Sequence, residues 1–121
     1  MPGERVLVVD DNELNLELAQ YVLEVGGFVV DRALHVDEAW ARLRARRPDI
    51  ALVDIQLPGA DGLSLVRAIK ATPDLADLPV VAFTAYAMQG DEERFRAAGC
   101  DGYLSKPIDV YSFAASVRSY L

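Results

Sequence analysis

Two adjacent carboxylates, Asp10 and Asp11, end the apolar run Val6-Leu7-Val8-Val9, and a third, Asp54, ends a second run, Ile50-Ala51-Leu52-Val53. A hydroxyl, Thr84, ends a further run near 79–83, and a lysine, Lys106, follows one near 102–104. Apolar runs of this kind read as buried parallel strands, and open α/β sheets carry their sites at the carboxyl ends of such strands. The three acids are therefore expected to converge. Carboxylates packed together repel, which pushes one pKa up unless a cation sits among them. A hard divalent ion suits an all-oxygen set, and Mg²⁺ is the natural candidate because it takes one or two carboxylates, retained waters and a phosphate oxygen.

The elements that must position these groups are legible in the hydrophobic pattern. Apolar runs near 5–9, 28–33, 50–53, 79–83 and 102–104 alternate with amphipathic segments of helical length. That alternation predicts an α/β fold of five β/α units, a parallel sheet with helices on both faces. In the first helix Leu14, Leu18, Val22 and Val25 recur at helical steps before Gly26-Gly27 stops it. The second puts Val36, Ala39, Trp40 and Leu43 on one face and ends before Pro48, and the third, near 62–71, offers Leu65, Val66 and Ile69 and stops at Thr72-Pro73. Trp40 reads as core. The fourth opens poorly at Met88-Gln89-Gly90, continues through Asp91-Glu92-Glu93, and has only Phe95 and Ala98 to bury, so it is expected to be loosely held. The last follows Pro107 with Asp109 as its cap and Val110, Phe113, Ala114, Val117 and Leu121 for the core.

Composition narrows the function. The 121 residues carry a net charge of -7, so the electrostatic attraction that drives nucleic-acid binding is missing. One domain spanning 1–121 is expected. A single cysteine, Cys100, permits no internal disulfide and reads as a small packing residue in a reducing compartment. No apolar run approaches the roughly 20 residues of a membrane helix, and the N-terminus has no signal-peptide pattern, so a cytoplasmic location is expected.

With Val6-Leu7-Val8-Val9-Asp10-Asp11, Pro48-Asp49-Ile50-Ala51-Leu52-Val53-Asp54 and Gly102-Tyr103-Leu104-Ser105-Lys106-Pro107 in view, the chain resembles the receiver domain of bacterial two-component response regulators along essentially its whole length. The stretches Asp11-Asn12-Glu13-Leu14-Asn15, Asp54-Ile55-Gln56-Leu57-Pro58 and Met88-Gln89-Gly90-Asp91-Glu92-Glu93-Arg94 look like the small single-domain regulators of cell division and polar differentiation. The resemblance implies a flavodoxin-like doubly wound five-stranded sheet of order 2-1-3-4-5. It implies that Asp54 accepts a phosphoryl group from the phosphohistidine of a histidine kinase or a histidine phosphotransfer protein, a Mg²⁺-dependent switch function and no enzyme in the ordinary sense.

By the same resemblance Asp11, Asp54 and the backbone carbonyl of Gln56 would hold Mg²⁺, with Asp10 acting through a metal-bound water. Lys106 and Thr84 would contact the phosphoryl group, and Ala85 would leave room for the donor. Three carboxylates and one lysine sum to a charge of -2, which one divalent cation cancels. Thr84 and Tyr103 would form the switch, and the fourth helix, fifth strand and fifth helix, with Arg94 and Tyr111, would face a downstream protein. Gln56 and Tyr86 would tune hydrolysis of the acyl phosphate, and Pro107 would follow a cis bond. A homodimer, a stand-alone regulator and a receiver cut from a hybrid kinase or a longer output protein all remain open.

Simpler readings exist for each residue alone: Asp11 as a helix cap, Asp54 as a turn residue before Pro58-Gly59, Lys106 as a solvated lysine, His35 as a solvated histidine. Acids, a hydroxyl and a lysine at four strand ends make a joint pattern that those readings do not explain. Aspartate-nucleophile phosphohydrolases place a second acid two residues after the nucleophile, where Gln56 stands here. A flavin-binding module wants a Ser/Thr/Gly-rich loop after the first strand, where Asp10-Asp11-Asn12-Glu13 would repel a phosphate.

Overall fold

The protein is described from a computed structural model covering residues 3–57, 60–85 and 91–121. Strands β1 (Arg5–Val9), β2 (Val29–Ala33), β3 (Ile50–Asp54), β4 (Val80–Thr84) and β5 (Gly102–Ser105) form one sheet of order β2-β1-β3-β4-β5. All four ladders are parallel. Every residue of β3 and β4 is buried, as unbroken apolar runs in the middle of a covered parallel sheet require.

Alternate strand residues feed two cores. Leu7, Val9, Ala51, Val53, Val80 and Ala82 pack with α2 (Val36–Ala45), α3 (Gly62–Lys70) and α4 (Asp91–Ala97) on one face. Val6, Val8, Ile50, Leu52, Val81 and Phe83 pack with α1 (Glu13–Val25) and α5 (Phe113–Arg118) on the other. Full burial of a side chain such as Phe83 stabilises by about 1.5–3 kcal/mol.

Helix α1 forms where the apolar spacing and the Gly26-Gly27 stop put it, but the stripe named by that spacing is not the buried one. Its buried residues are Leu16, Ala19, Val22 and Leu23, whereas Leu14 is 75% and Val25 73% exposed. The helix carries two apolar stripes, and the one containing the small Ala19 is seated against the sheet, where a short side chain allows close approach. Leu14, Leu18, Tyr21 and Val25 form an outward ridge within roughly 60° of the helix circumference. The helix gives way to Gly27, whose φ of 95° is a left-handed conformation that a side chain would strain.

The last helix also differs. Asp109 does not cap it; its carboxylate accepts the Tyr111 N–H, and Ser112 is the residue before the first turn. Helix α5 therefore begins later than expected, and Val110 and Leu121 are exposed while Phe113 and Val117 are buried. In α2 and α3 the expected faces hold: Ala39, Leu43, Leu65, Val66 and Ile69 are buried, with Val36 and Trp40 partly buried against them. His35 caps α2, Nδ1 accepting the Glu38 N–H, while the Glu38 carboxylate accepts the Leu34 N–H. That reciprocal pairing satisfies two otherwise orphaned donors at the helix start. The Met88-Gln89-Gly90 segment lies outside the described residues; α4 buries Phe95, with Ala98 buried just beyond it.

Candidate functional site

The parallel register brings the chemistry-bearing residues to one edge of the sheet. Asp10 follows the last residue of β1, Asp54 ends β3, Thr84 ends β4, and Lys106 follows Ser105, the register partner of Thr84. Carboxylate oxygens of Asp10, Asp11 and Asp54 lie within 4.8 Å of one another. Asp10 is fully buried, Asp54 and Thr84 are nearly so, and Asp11 is exposed at the rim. Asp11 does not cap α1, because the Asn12 side chain accepts the N–H groups of Leu14 and Asn15 instead. Its carboxylate is thereby left to the cleft.

Lys106 bridges the two buried acids, with Nζ 2.8 Å from Asp10 Oδ2 and 3.1 Å from Asp54 Oδ2. The Asn12 N–H donates to Asp10 Oδ1 at 2.9 Å, and the Gln56 N–H donates to Asp54 Oδ1 at 3.0 Å. Burial pushes the Asp54 carboxyl above its ordinary value; the Gln56 N–H and Lys106 pull it back, and the Asp10 charge adds to the rise. Burial alone would lower the Lys106 ammonium, but hydrogen bonds and charge from Asp10 and Asp54 outweigh it and hold the ammonium above its ordinary value. Like-charge repulsion is thus only partly relieved by Lys106, which contacts Asp10 and Asp54 and leaves the exposed third carboxylate to another cation.

The donor set fits Mg²⁺: three carboxylates of the right hardness open onto a cleft of about 500 Å³ that Gln56 also lines. Ala85 is exposed on that cleft. The Lys106-Pro107 bond is cis. Tyr103 is partly buried, its ring centroid 6.0 Å from that of Phe95 in α4. Tyr86 lies outside the described residues. Cys100 is buried, and burial pushes its thiol up to about 11, which suits a packing residue.

Two supporting residues escaped the sequence reading. The Asn15 side-chain amide reaches Asp10 Oδ2 at 3.4 Å, and its only signal was a polar residue one turn into α1. Gly62 opens α3 against the backbone of the phosphoacceptor candidate, so a Cβ there would overlap the Asp54 carbonyl oxygen and crowd Ile55. Backbone offers no flexible end to yield. Gly62→Ala is therefore expected to destabilise the fold by about 1–3 kcal/mol and to displace Asp54; thermal melts and Mg²⁺ titrations of the variant check this, and wild-type values in both would contradict it.

Comparisons with known proteins agree with this geometry. The family model for the response regulator receiver domain matches residues 6–118. The chain is 45% identical over 116 residues to the polar-differentiation response regulator DivK of Brucella anthropi, covering 96% of this chain and 94% of that one. Among solved structures it is similar to the receiver domain of a sensor histidine kinase from Pseudomonas aeruginosa PAO1, at 31% identity and a TM-score of 0.86, covering 98% of this chain and 97% of that one. That structure has a magnesium ion coordinated in its active site cleft. The chemotaxis response regulator CheY4 of Vibrio cholerae shares the fold at a TM-score of 0.92 and 24% identity, covering 98% of this chain and 99% of that one. Since the match runs from the first strand to the last helix, the chain belongs to the response regulator receiver domain family.

Proposed function

We propose that Asp54 is the phosphoacceptor of a two-component phosphorelay, taking its phosphoryl group from a phosphohistidine on a histidine kinase or phosphotransfer protein. The observation that carries this reading is the convergence of Asp54, Asp10 and Asp11 with Lys106 on one open cleft. One Asp54 carboxylate oxygen bonds to phosphorus as the phosphorus–nitrogen bond of the donor breaks and the imidazole keeps the electron pair. A carboxylate is a weak nucleophile, so positioning and charge neutralisation supply the acceleration.

Asp10, Asp11, Asp54 and the Gln56 carbonyl would hold Mg²⁺, which when bound neutralises charge and orients a phosphoryl oxygen. The Gln56 N–H fixes the Asp54 rotamer through Oδ1. Lys106 places a compact positive charge beside the accepting oxygen, and the Thr84 hydroxyl is assigned to the bound phosphoryl group. Thr84 and Tyr103 couple that event to α4, against whose Phe95 the Tyr103 ring packs. The α4-β5-α5 surface, where Arg94 is exposed and Tyr111 is 96% exposed, is assigned to a downstream protein. Phosphorylation and loss of the phosphoryl group are the only chemistry assigned to the domain, in the cytoplasm; among the described residues no helix is long and apolar enough to cross a membrane.

The outward ridge of α1 supports a protein donor. Leu14 and Tyr21, 75% and 68% exposed, head a stripe that begins where Asn12 and Asn15 line the cleft. Contiguous exposed apolar side chains mark interaction surfaces. Leu14→Glu and Tyr21→Glu are each expected to slow transfer from a phosphorylated histidine phosphotransfer protein by about tenfold or more while labelling by acetyl phosphate stays at the wild-type rate. Equal slowing with both donors would remove the docking role, and no transfer from any phosphohistidine donor would remove the proposed function.

A further inference from the structure

A second concave site lies at the opposite end of the sheet from the acid cleft, between the C-terminal ends of α2 and α3. Its volume is about 670 Å³, within the roughly 300–1,000 Å³ of small-molecule pockets. Leu43, Ala68 and Leu75 give it an apolar floor, and Trp40 and Arg44 form one wall, the guanidinium carbon 5.4 Å from the ring centroid.

Cations are concentrated here. Arg44, Arg46 and Arg47 line the groove against one acid, Asp74, a local charge of +2 (three minus one) in a chain of net charge -7. A simple structural role accounts for part of this. Arg42 and Arg44 sit in the last turn of α2 and complement its dipole, and Arg47 is committed to Asp77 at 2.8 Å and to the Asp74 carbonyl at 3.3 Å. Arg46 has no such duty. It caps the end of α2 in extended backbone, its N–H donating to the Arg42 carbonyl, and its side chain is exposed on the groove with no hydrogen bond or ion pair among the described residues.

We propose that this groove is a nucleotide-binding site, in which Trp40 and the Arg44 guanidinium stack the base and Arg46 holds the phosphate. A partly exposed indole with a guanidinium over it offers a planar aromatic a stacking face. Unpaired arginine is suited to a phosphate through its planar fork of donors. Asp74 repels a phosphate set beside it and accepts an exocyclic amine, which orients the base toward Asp74 and the phosphate toward Arg46. A free nucleotide fits better than a nucleic-acid strand. At physiological salt charges beyond about 8 Å are screened, so a small anion senses the local arginines, while a strand crossing the surface also meets the acidic remainder.

Trp40 is the single tryptophan, so its emission reports this site alone. Titrate the full chain with GMP and AMP, with ribose 5-phosphate and with an oligoadenylate RNA, correcting for absorption against a free tryptophan standard. Saturable quenching by at least one mononucleotide, with Kd tighter than about 1 mM and without quenching by ribose 5-phosphate, is the expected result. Arg44→Ala and Arg46→Ala should each weaken it by about tenfold, with acetyl phosphate labelling at Asp54 serving as the check that the variants fold. The proposal is overturned by no saturable change with either nucleotide, by unchanged affinity in the arginine variants, by equal binding of ribose 5-phosphate, or by tighter binding of the RNA.

Discussion

Asp54→Asn abolishes incorporation of phosphoryl groups from a phosphohistidine donor, to the background of a chain with no acceptor. Asparagine is nearly isosteric and keeps an oxygen for the Gln56 N–H, so the cleft survives while the nucleophile is lost. The same variant has a second readout whose sign follows from the burial of Asp54. Its carboxyl titrates above the ordinary 3.8. Between that value and the raised one the folded chain keeps a proton that the unfolded chain has released. Stability without divalent ions therefore falls as pH rises through that interval. Asparagine carries no such proton. In EDTA at neutral pH Asp54→Asn is expected to melt higher than wild type, and Mg²⁺ should raise wild type toward it. Full labelling of the variant would show that another residue is the acceptor, and a lower melting temperature would contradict the origin assigned to the pKa shift.

Removing the Lys106 charge produces the largest expected effect on stability. Lys106→Met keeps most of the apolar stem but strips the ammonium, which lies 5.1 Å from the Phe83 ring centroid, from two acids whose side chains are 0% and 6% exposed. Breaking a buried ion pair from one side costs about 3–5 kcal/mol, because the remaining charges are uncompensated. At this chain length that is a fall of roughly 10 °C or more in melting temperature without divalent ions. Mg²⁺ should restore most of it and bind more tightly than to wild type, since Nζ no longer competes for Asp10 Oδ2 and Asp54 Oδ2. Phosphorylation should persist with Mg²⁺ while the conformational response is lost. Unchanged metal-free stability together with unchanged Mg²⁺ affinity would show that Lys106 does not neutralise the cleft.

The parts of the fold that were legible in advance share a physical cause. Strands β3 and β4 are covered on both faces, so burial forced unbroken apolar runs, and their ends marked Asp54 and Thr84 directly. Helix α1 itself was legible but its buried face was not, because apolar residues surround it on two stripes and periodicity alone does not say which faces the sheet. Small Ala19 decided that, and small residues weigh little in a hydrophobic pattern. The start of α5 was misread because Val110 and Tyr111 continue its apolar spacing while the Asp109 carboxylate holds a turn.

The acid cleft was legible because its carboxylates and lysine differ in type from their apolar surroundings. Asn15 and Gly62 were not, since one acts through a side chain on the next helix and the other through the absence of one. The groove at the other end of the sheet was hidden for a further reason. Arginines after a helix usually read as solvated, and only the tertiary placement of Ala68 and Leu75 opposite Trp40 turns them into a wall.

Intact-mass analysis of wild-type protein treated with acetyl phosphate, run in parallel with Mg²⁺ and with EDTA and followed by peptide mapping, tests the central claim most directly. One phosphoryl adduct, dependent on Mg²⁺ and located on Asp54, is the predicted result. An adduct of equal yield in EDTA, an adduct on any other residue, or none under either condition would contradict it.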